Sequence, residues 1–247
     1  MQQGLVGSRA VVARHFAILP PEGIPEIVLP EWPDAAVRVL TAPAMGARFA
    51  MYEIALPAGA AVAPALAPRI EGFLYVLAGR VRLELDGKTR ELAPGGFAYL
   101  APGARCALTA AGAARLVWLR KAYAPWGERA PASRVGSERE IKGEPFMEIA
   151  ELNLKKLLPD TLDFDMAMNV FTFPPGFSLP VIETHVMEHG LCFLEGQGLY
   201  YLGDAWREVK AGDFIWMGPY CPQGFFATGS TPARYLYYKN VNRDVEL

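Results

Sequence analysis

Displaced by 117 residues, the chain overlays itself. Leu74 falls on Leu191, Leu77 on Leu194, Gly79 on Gly196 and Leu85 on Leu202; Arg90-Glu91 fall on Arg207-Glu208, Gly95 on Gly212, Phe97 on Phe214 and Pro102 on Pro219, with no gap between them. The glycines and the proline stand where a turn restricts backbone geometry, and the apolar residues stand where a core is expected. A repeat that preserves turn and core positions together predicts two copies of one domain, which a chain of 247 residues accommodates.

Each copy reads as β-structure. Val81-Arg82-Leu83-Glu84-Leu85 alternates with period two and runs into Asp86-Gly87, a strong hairpin signal. No long stretch keeps a helical period, apart from a weak one around Glu148 to Leu158. Many short strands punctuated by glycine and proline predict a sandwich or barrel. Residues 1–36, with Pro20-Pro21, Pro25, Pro30 and Pro33, read as an extended arm packed across the rest of the chain or across a partner subunit. Residues 37–122 form the first domain, 123–140 a linker marked by Pro125, Gly127, Pro131 and Gly136, and 141–247 the second domain.

Composition excludes several classes. A net charge of -2 with scattered basic residues argues against a nucleic-acid partner. The most apolar run, Ala55 to Pro68, is broken by three prolines and is too short to span a bilayer, so no membrane partner is expected. Cys106, Cys192 and Cys221 show neither paired nor zinc-like spacing, which fits a reducing compartment. The N-terminus has no continuous apolar segment of the secretory kind. The expectation is a cytoplasmic protein.

The chain has three histidines, and two of them lie in Glu183-Thr-His185-Val-Met-Glu-His189. On a strand Glu183 and His185 leave the same face, whereas His189 stands roughly 13 Å further along an extended chain. A bend at Val186-Met187-Glu188 brings His189 back towards His185. A carboxylate and two imidazoles converging in this way can hold a divalent metal; the alternative is two half-buried histidines that bind nothing. The overlay separates scaffold from chemistry. Under Glu183, His185, His189 and Gln223 lie Leu66, Pro68, Gly72 and Cys106, so the fold does not need these polar groups. A metal site is expected in the second domain only.

In the last strand, Tyr235, Tyr237 and Lys239 share a face. After a two-residue difference in loop length, their counterparts include Leu116 and Arg120, so this pattern also belongs to the second copy. A lysine beside a cation tends towards a lowered pKa, against the alternative of a lysine reaching solvent. Cys221 reads as a small buried hydrophobe, His15 as a surface or interface residue and Glu188 as a solvated turn residue. Phe193, Trp206, Trp216 and Phe225-Phe226 read as core and rim.

Gly176, Glu183-x-His185-x3-His189-x6-Gly196 and Gly212-Asp-Phe-Ile-Trp-Met-Gly-Pro219-x3-Gln223 resemble the two cupin motifs. The usual cupin donors are His, His, Glu and His; here Glu183 replaces the first histidine, His189 the glutamate and Gln223 the last histidine. This permutation resembles the bicupin (S)-ureidoglycine aminohydrolases, also called the glyoxylate-induced family. The resemblance extends to the arm, to Pro43-Ala-Met-Gly-Ala-Arg-Phe49 and to Tyr235-Leu-Tyr-Tyr-Lys-Asn240. It implies an all-β fold of two tandem jelly-roll barrels. It also implies one Mn²⁺ per chain, held by Glu183, His185, His189 and Gln223. Substrate contacts would come from Glu183, Gln223, Tyr235 and Lys239, with Glu183, Tyr235 and Lys239 catalytic. The implied reaction releases ammonia from a small ureide, (S)-ureidoglycine, to give (S)-ureidoglycolate in allantoin and purine breakdown. The same residues leave open an Fe²⁺ dioxygenase acting on a small acid, which Gln223 argues against, and a non-catalytic bicupin that binds a small acid. The arm and the metal-free first domain look like interface material, so a homo-oligomer is expected.

Overall fold

The structure, a computed structural model, describes residues 9–127, 130–241 and 243. Residues 1–8 of the expected arm, two residues of the expected linker and 242 and 244–247 of the expected second domain lie outside the described residues. Among the described residues the only helical elements are single 3₁₀ turns at Pro21–Gly23, Pro43–Met45 and Glu138–Glu140.

Two large antiparallel sheets repeat one strand order. In the first domain the order in space is Arg134–Ser137, Gly96–Leu100, Ile70–Ala78, Ala114–Ala122, Phe49–Leu56, Trp32–Thr41 and Ile27–Leu29. In the second it is Val11–Val12, Phe16–Leu19, Phe214–Met217, His189–Glu195, Ala233–Asn240, Met166–Phe173, Ile149–Lys156 and Glu144–Phe146. A smaller sheet accompanies each: Ala61–Val62, Cys106–Ala110, Val81–Leu85 and Lys88–Leu92 in the first, and Ala205–Lys210, Gln197–Leu202 and Gln223–Ala227 in the second. The chain is a doubled jelly roll, as the repeat predicts.

The structure corrects two readings. The segment around Glu148 to Leu158 is a strand, Ile149–Lys156, in which buried Leu152 and Leu154 alternate with exposed Glu151 and Asn153. Pairing with Met166–Phe173 on one side selects the period-two face over a weak helical spacing. The linker is not a mere connector either, and the arm packs across the second domain. Phe16–Leu19 pairs with the second domain's Phe214–Met217, and Arg134–Ser137 pairs with the first domain's Gly96–Leu100. Leu19 opposes Phe214 and Gly136 opposes Phe97, so the offset of 117 holds for both members of each pair. Each domain therefore takes its edge strand from the segment that leads into the other. Arg9 fastens the arm with two hydrogen bonds to the buried Asp213, at 2.6 and 2.8 Å. The first domain's strands begin within the expected arm, at Ile27 and Trp32.

Three apolar cores result, because the central strands are dry on both faces. In Ala114–Ala122, Leu116 and Trp118 fill the first domain while Val117 and Leu119 face the second. In Ala233–Asn240, Tyr235 and Tyr237 fill the second domain while Leu236 and Tyr238 face the first. Phe49, Met51, Phe73, Met166, Met168 and Trp216 complete this seam between domains. Full burial of a side chain of this size contributes roughly 1.5–3 kcal/mol, so the seam holds the domains as one body.

The seam contains a charged knot around Lys121. Lys121 sits between Glu71 of its own domain, at 3.2 Å, and Asp165 of the other, at 2.5 Å. Tyr99 donates to Glu71 at 2.6 Å and the Ala124 N–H donates to Asp165 at 2.6 Å. Burial, reinforced by the hydrogen bond with Asp165, raises the pKa of Glu71 above the ordinary carboxylate value of 4.5. The folded protein therefore keeps a proton that the unfolded chain loses above that value, so the stability contributed by Glu71 is complete below it and declines as pH rises through the raised pKa. Urea unfolding followed across pH 5 to 9 will show wild type losing stability relative to Glu71→Gln, by at most about 1.4 kcal/mol per pH unit; parallel profiles would refute the assignment.

Candidate metal centre and active site

Glu183 and Gln223 come together through the backbone. Glu183 N–H donates to the Gln223 carbonyl and Gln223 N–H to the Glu183 carbonyl, both at 2.9 Å. Residues that exchange both bonds lie directly opposite each other, and their side chains rise from the same face. Gln223 opens the strand Gln223–Ala227, and Glu183 meets it as an isolated bridge.

His185 follows on the same segment, held where the Tyr220 N–H donates to its carbonyl at 2.7 Å. The chain bends at Val186 and a new strand starts at His189. That bend does what the spacing requires: the Nε2 atoms of His185 and His189 stand 3.1 Å apart, and the Gln223 amide lies 2.8 Å from His185 Nε2. His189 pairs with Lys239 in the adjacent strand, which brings the C-terminal strand to the same place.

A cavity of about 140 Å³ collects Glu183, His185, His189, Gln223, Tyr235 and Lys239. All six sequence-derived site residues line it, and Tyr200 and Tyr237 line it with them. Tyr200 occupies the position of Leu83 in the first copy, so the overlay carried a signal for it. Lys239 and Tyr237 also face a wider cavity of about 410 Å³, together with Asp160 and Asn169.

Burial shifts His189, Lys239, Tyr235 and Tyr237 towards their neutral forms. Burial, with the charges of His185 and Lys239, holds the pKa of His189 well below 6.5, so its ring is neutral at pH 7. Burial also lowers Lys239, against the opposing charges of Asp160 and Glu183. Tyr235 is raised well above 10 by burial and by Tyr200, to which it is hydrogen-bonded, and stays a neutral hydroxyl. Tyr237 is pushed up to about 12 by burial, and Asn169 hydrogen-bonds it. Glu183 bears electrostatically on Tyr200, Tyr235, Tyr237 and Lys239.

The donors fit a divalent ion. His185 Nδ1 lies 3.0 Å from the Met187 carbonyl and donates to it, which leaves the Nε2 lone pair aimed into the cavity, as in metal-bound histidines. Turning the Gln223 amide over presents its oxygen at the same place. Two ligands about 2.1 Å from one ion at right angles stand about 3 Å apart, the separation of the two Nε2 atoms. Among the described residues no three His, Cys, Asp or Glu side chains close into a metal cluster. What closes is the imidazole pair with the amide, and Glu183 reaches the same cavity from beside Gln223.

The first copy is filled instead. Leu66, Cys106 and Leu116, the counterparts of Glu183, Gln223 and Tyr235, belong to its apolar core, and a side chain at Gly72 would press on Leu66 at 3.1 Å. Arg120, the counterpart of Lys239, is tied to Tyr52 at 3.0 Å and to Glu31 at 2.9 Å.

Among the other sequence readings, His15 is exposed, and Cys221 is buried in the second core. Phe193 and Phe225 lie in that core, Trp216 in the seam, and Trp206 and Phe226 at the surface. Glu188 is not solvated: 1% of it is exposed. Burial raises its pKa, against hydrogen bonds from the Arg48 backbone and Trp216.

Comparisons with known proteins agree with the doubled fold. Residues 169–238 match the Cupin domain model, and residues 64–123 match the EutQ-like cupin domain model. The chain is 35% identical, over its full length and 96% of the relative, to (S)-ureidoglycine aminohydrolase of Escherichia coli. It is 36% identical to (S)-ureidoglycine aminohydrolase of Arabidopsis thaliana, over 96% of this chain and 79% of that one. Protein Ylba from E. coli superposes with a TM-score of 0.88 at 34% identity, covering 98% of both chains. A putative glyoxylate-induced protein from Pseudomonas aeruginosa superposes with a TM-score of 0.89 at 32% identity, covering 100% of this chain and 95% of that one.

Metal analysis will find about one divalent ion per chain in wild type and at least tenfold less in His185→Ala, whose loss removes the donor central to the other two. Equal metal content in both proteins would remove His185 from the site.

Proposed function

The chain belongs to the (S)-ureidoglycine aminohydrolase family, and on that premise we propose that it releases ammonia from (S)-ureidoglycine to give (S)-ureidoglycolate. This is a hydrolysis at a non-peptide C–N bond within allantoin and purine breakdown. The observation that carries the reading is one small cavity in which two imidazoles, a carboxamide, a carboxylate, a tyrosine and a half-buried lysine meet.

In this proposal Glu183, His185, His189 and Gln223 hold Mn²⁺, a suitable ion for mixed oxygen and imidazole donors without thiolate. When bound, the ion supplies positive charge that anchors the substrate's carboxylate and amine. The chain's own residues do the rest. Tyr235, a neutral hydroxyl, hydrogen-bonds the substrate and with Glu183 and Gln223 sets which face of its tetrahedral carbon is presented. Lys239, with its lowered proton affinity, takes the proton from the ureido nitrogen and passes it to the amine, which leaves as ammonia while a C=N bond forms. Water then adds to that carbon, and the neutral Lys239 takes the proton that water releases and returns it to the ureido nitrogen.

A cytoplasmic homo-oligomer is part of the same proposal. No helix among the described residues is long and apolar enough to cross a membrane. Val181, Ile182, Trp206 and Phe226 form an exposed apolar group on the second domain. Light scattering that gives the mass of a single chain would retire the oligomer.

With substrate generated in situ from allantoate and ammonia followed continuously, Lys239→Ala will keep its metal and lose roughly 10²–10⁴-fold in kcat, the range for a general base. In wild type kcat will fall as pH drops through the lowered pKa of Lys239, because only the neutral amine accepts a proton. Undiminished turnover by Lys239→Ala refutes the assigned role.

A further inference from the structure

The first domain carries no donor set, yet it grips both chain neighbours of His189. His189 faces the cavity, so Glu188 and Gly190 point the opposite way, into the seam. The Arg48 N–H of the first domain donates to both carboxylate oxygens of Glu188, each at 3.1 Å. Trp216 Nε1 donates to the same carboxylate at 3.4 Å, and the Glu188 N–H donates to Asn240 Oδ1 at 2.6 Å. On the other flank, a side-chain carbon at Gly190 would come within 2.5 Å of the Phe49 ring. Glycine is the residue that lets Phe49 lie there. Phe49 also packs on Tyr238 with ring centroids 4.3 Å apart, and Tyr238 separates Tyr237 from Lys239. The loop that carries Arg48 and Phe49 is fixed by its own backbone. Its 3₁₀ turn, Pro43–Met45, ends at Gly46 with φ 103°, which places the loop against the Trp216 ring.

We propose that the first domain is a positioning element for the metal centre: Arg48 acting on Glu188 and Phe49 acting on Gly190 fix His189 from behind. This inference rests on the metal reading above. It accounts for the segment Pro43-Ala-Met-Gly-Ala-Arg-Phe49, which contributes no side chain to the cavity. It also accounts for a donor-free domain that remains bound to its partner by a continuous seam.

Titration of the full-length, metal-free protein with Mn²⁺, reading the paramagnetic resonance signal of the free ion, tests it alongside the melting temperature of each metal-free variant. Glu188→Ala will bind Mn²⁺ about 10–100-fold more weakly, the usual effect of losing a group that orients a ligand, and Glu188→Gln, which keeps a carbonyl oxygen for the Arg48 N–H, will stay within about threefold of wild type. Phe49→Leu will weaken Mn²⁺ binding by about threefold or more. A merely structural role lowers the melting temperature and leaves the affinity of the folded protein unchanged, which overturns the inference. Where Glu188→Ala does not fold, Phe49→Leu decides by the same criterion. A wild-type chain that binds no Mn²⁺ sinks the metal reading and this inference together, whereas wild-type affinity in Glu188→Ala sinks this inference alone.

Discussion

The apolar seam between the two domains is the interaction on which the rest depends. It exists because the central strands of both large sheets alternate between two dry faces, one turned into their own jelly roll and one towards the other domain. Along Ala233–Asn240 this alternation assigns Tyr235, Tyr237 and Lys239 to the cavity and Leu236 and Tyr238 to the seam. Along the strand that opens at His189, it assigns His189 to the cavity and its neighbours to the seam. A change of register by one residue in either strand would exchange chemistry for packing. The seam therefore holds the domains together and also sets the register of the side chains that do the work.

The doubled architecture lets the two interiors diverge. Both copies have the same strand order and the same offset, down to the edge strand that each receives from the segment leading into the other. One interior is closed with leucines and a cysteine, and the other carries polar donors around a small cavity. Polar groups of this kind carry a desolvation cost unless they are paired or hold an ion. The second copy meets part of that cost internally: His185 is oriented by a backbone carbonyl, Tyr235 is hydrogen-bonded to Tyr200 and Tyr237 to Asn169. The closed copy has no such cost and supplies rigidity in return.

Much of this was legible in the chain, for reasons that differ from element to element. The overlay exposed the doubled domain because turns and cores restrict residue choice in the same way twice. It also marked Glu183, His185, His189 and Gln223 as residues that the fold does not require. Period two by itself put Tyr235, Tyr237 and Lys239 on one face. Glu188 was illegible, because its partners, the Arg48 N–H and Trp216, are remote in sequence and one of them is a backbone group that no side-chain pattern reports. The strand Ile149–Lys156 looked weakly helical because its pairing partner lies in a different segment. The arm and the linker hid their kinship because Phe16–Leu19 and Arg134–Ser137 share a backbone register and hardly any side chains.

Sequence alone settled the number of domains and their β-class and singled out the proposed donor groups, since these follow from local periodicity, turn chemistry and the contrast between two copies of one pattern. Tertiary structure decided the rest: which domain each edge strand joins, how a bend brings His189 within 3.1 Å of His185, and that Arg48 of the first domain meets Glu188 beside His189. These outcomes depend on pairings across long loops and on backbone hydrogen bonds. Such contacts arise only once the two cores have packed against each other.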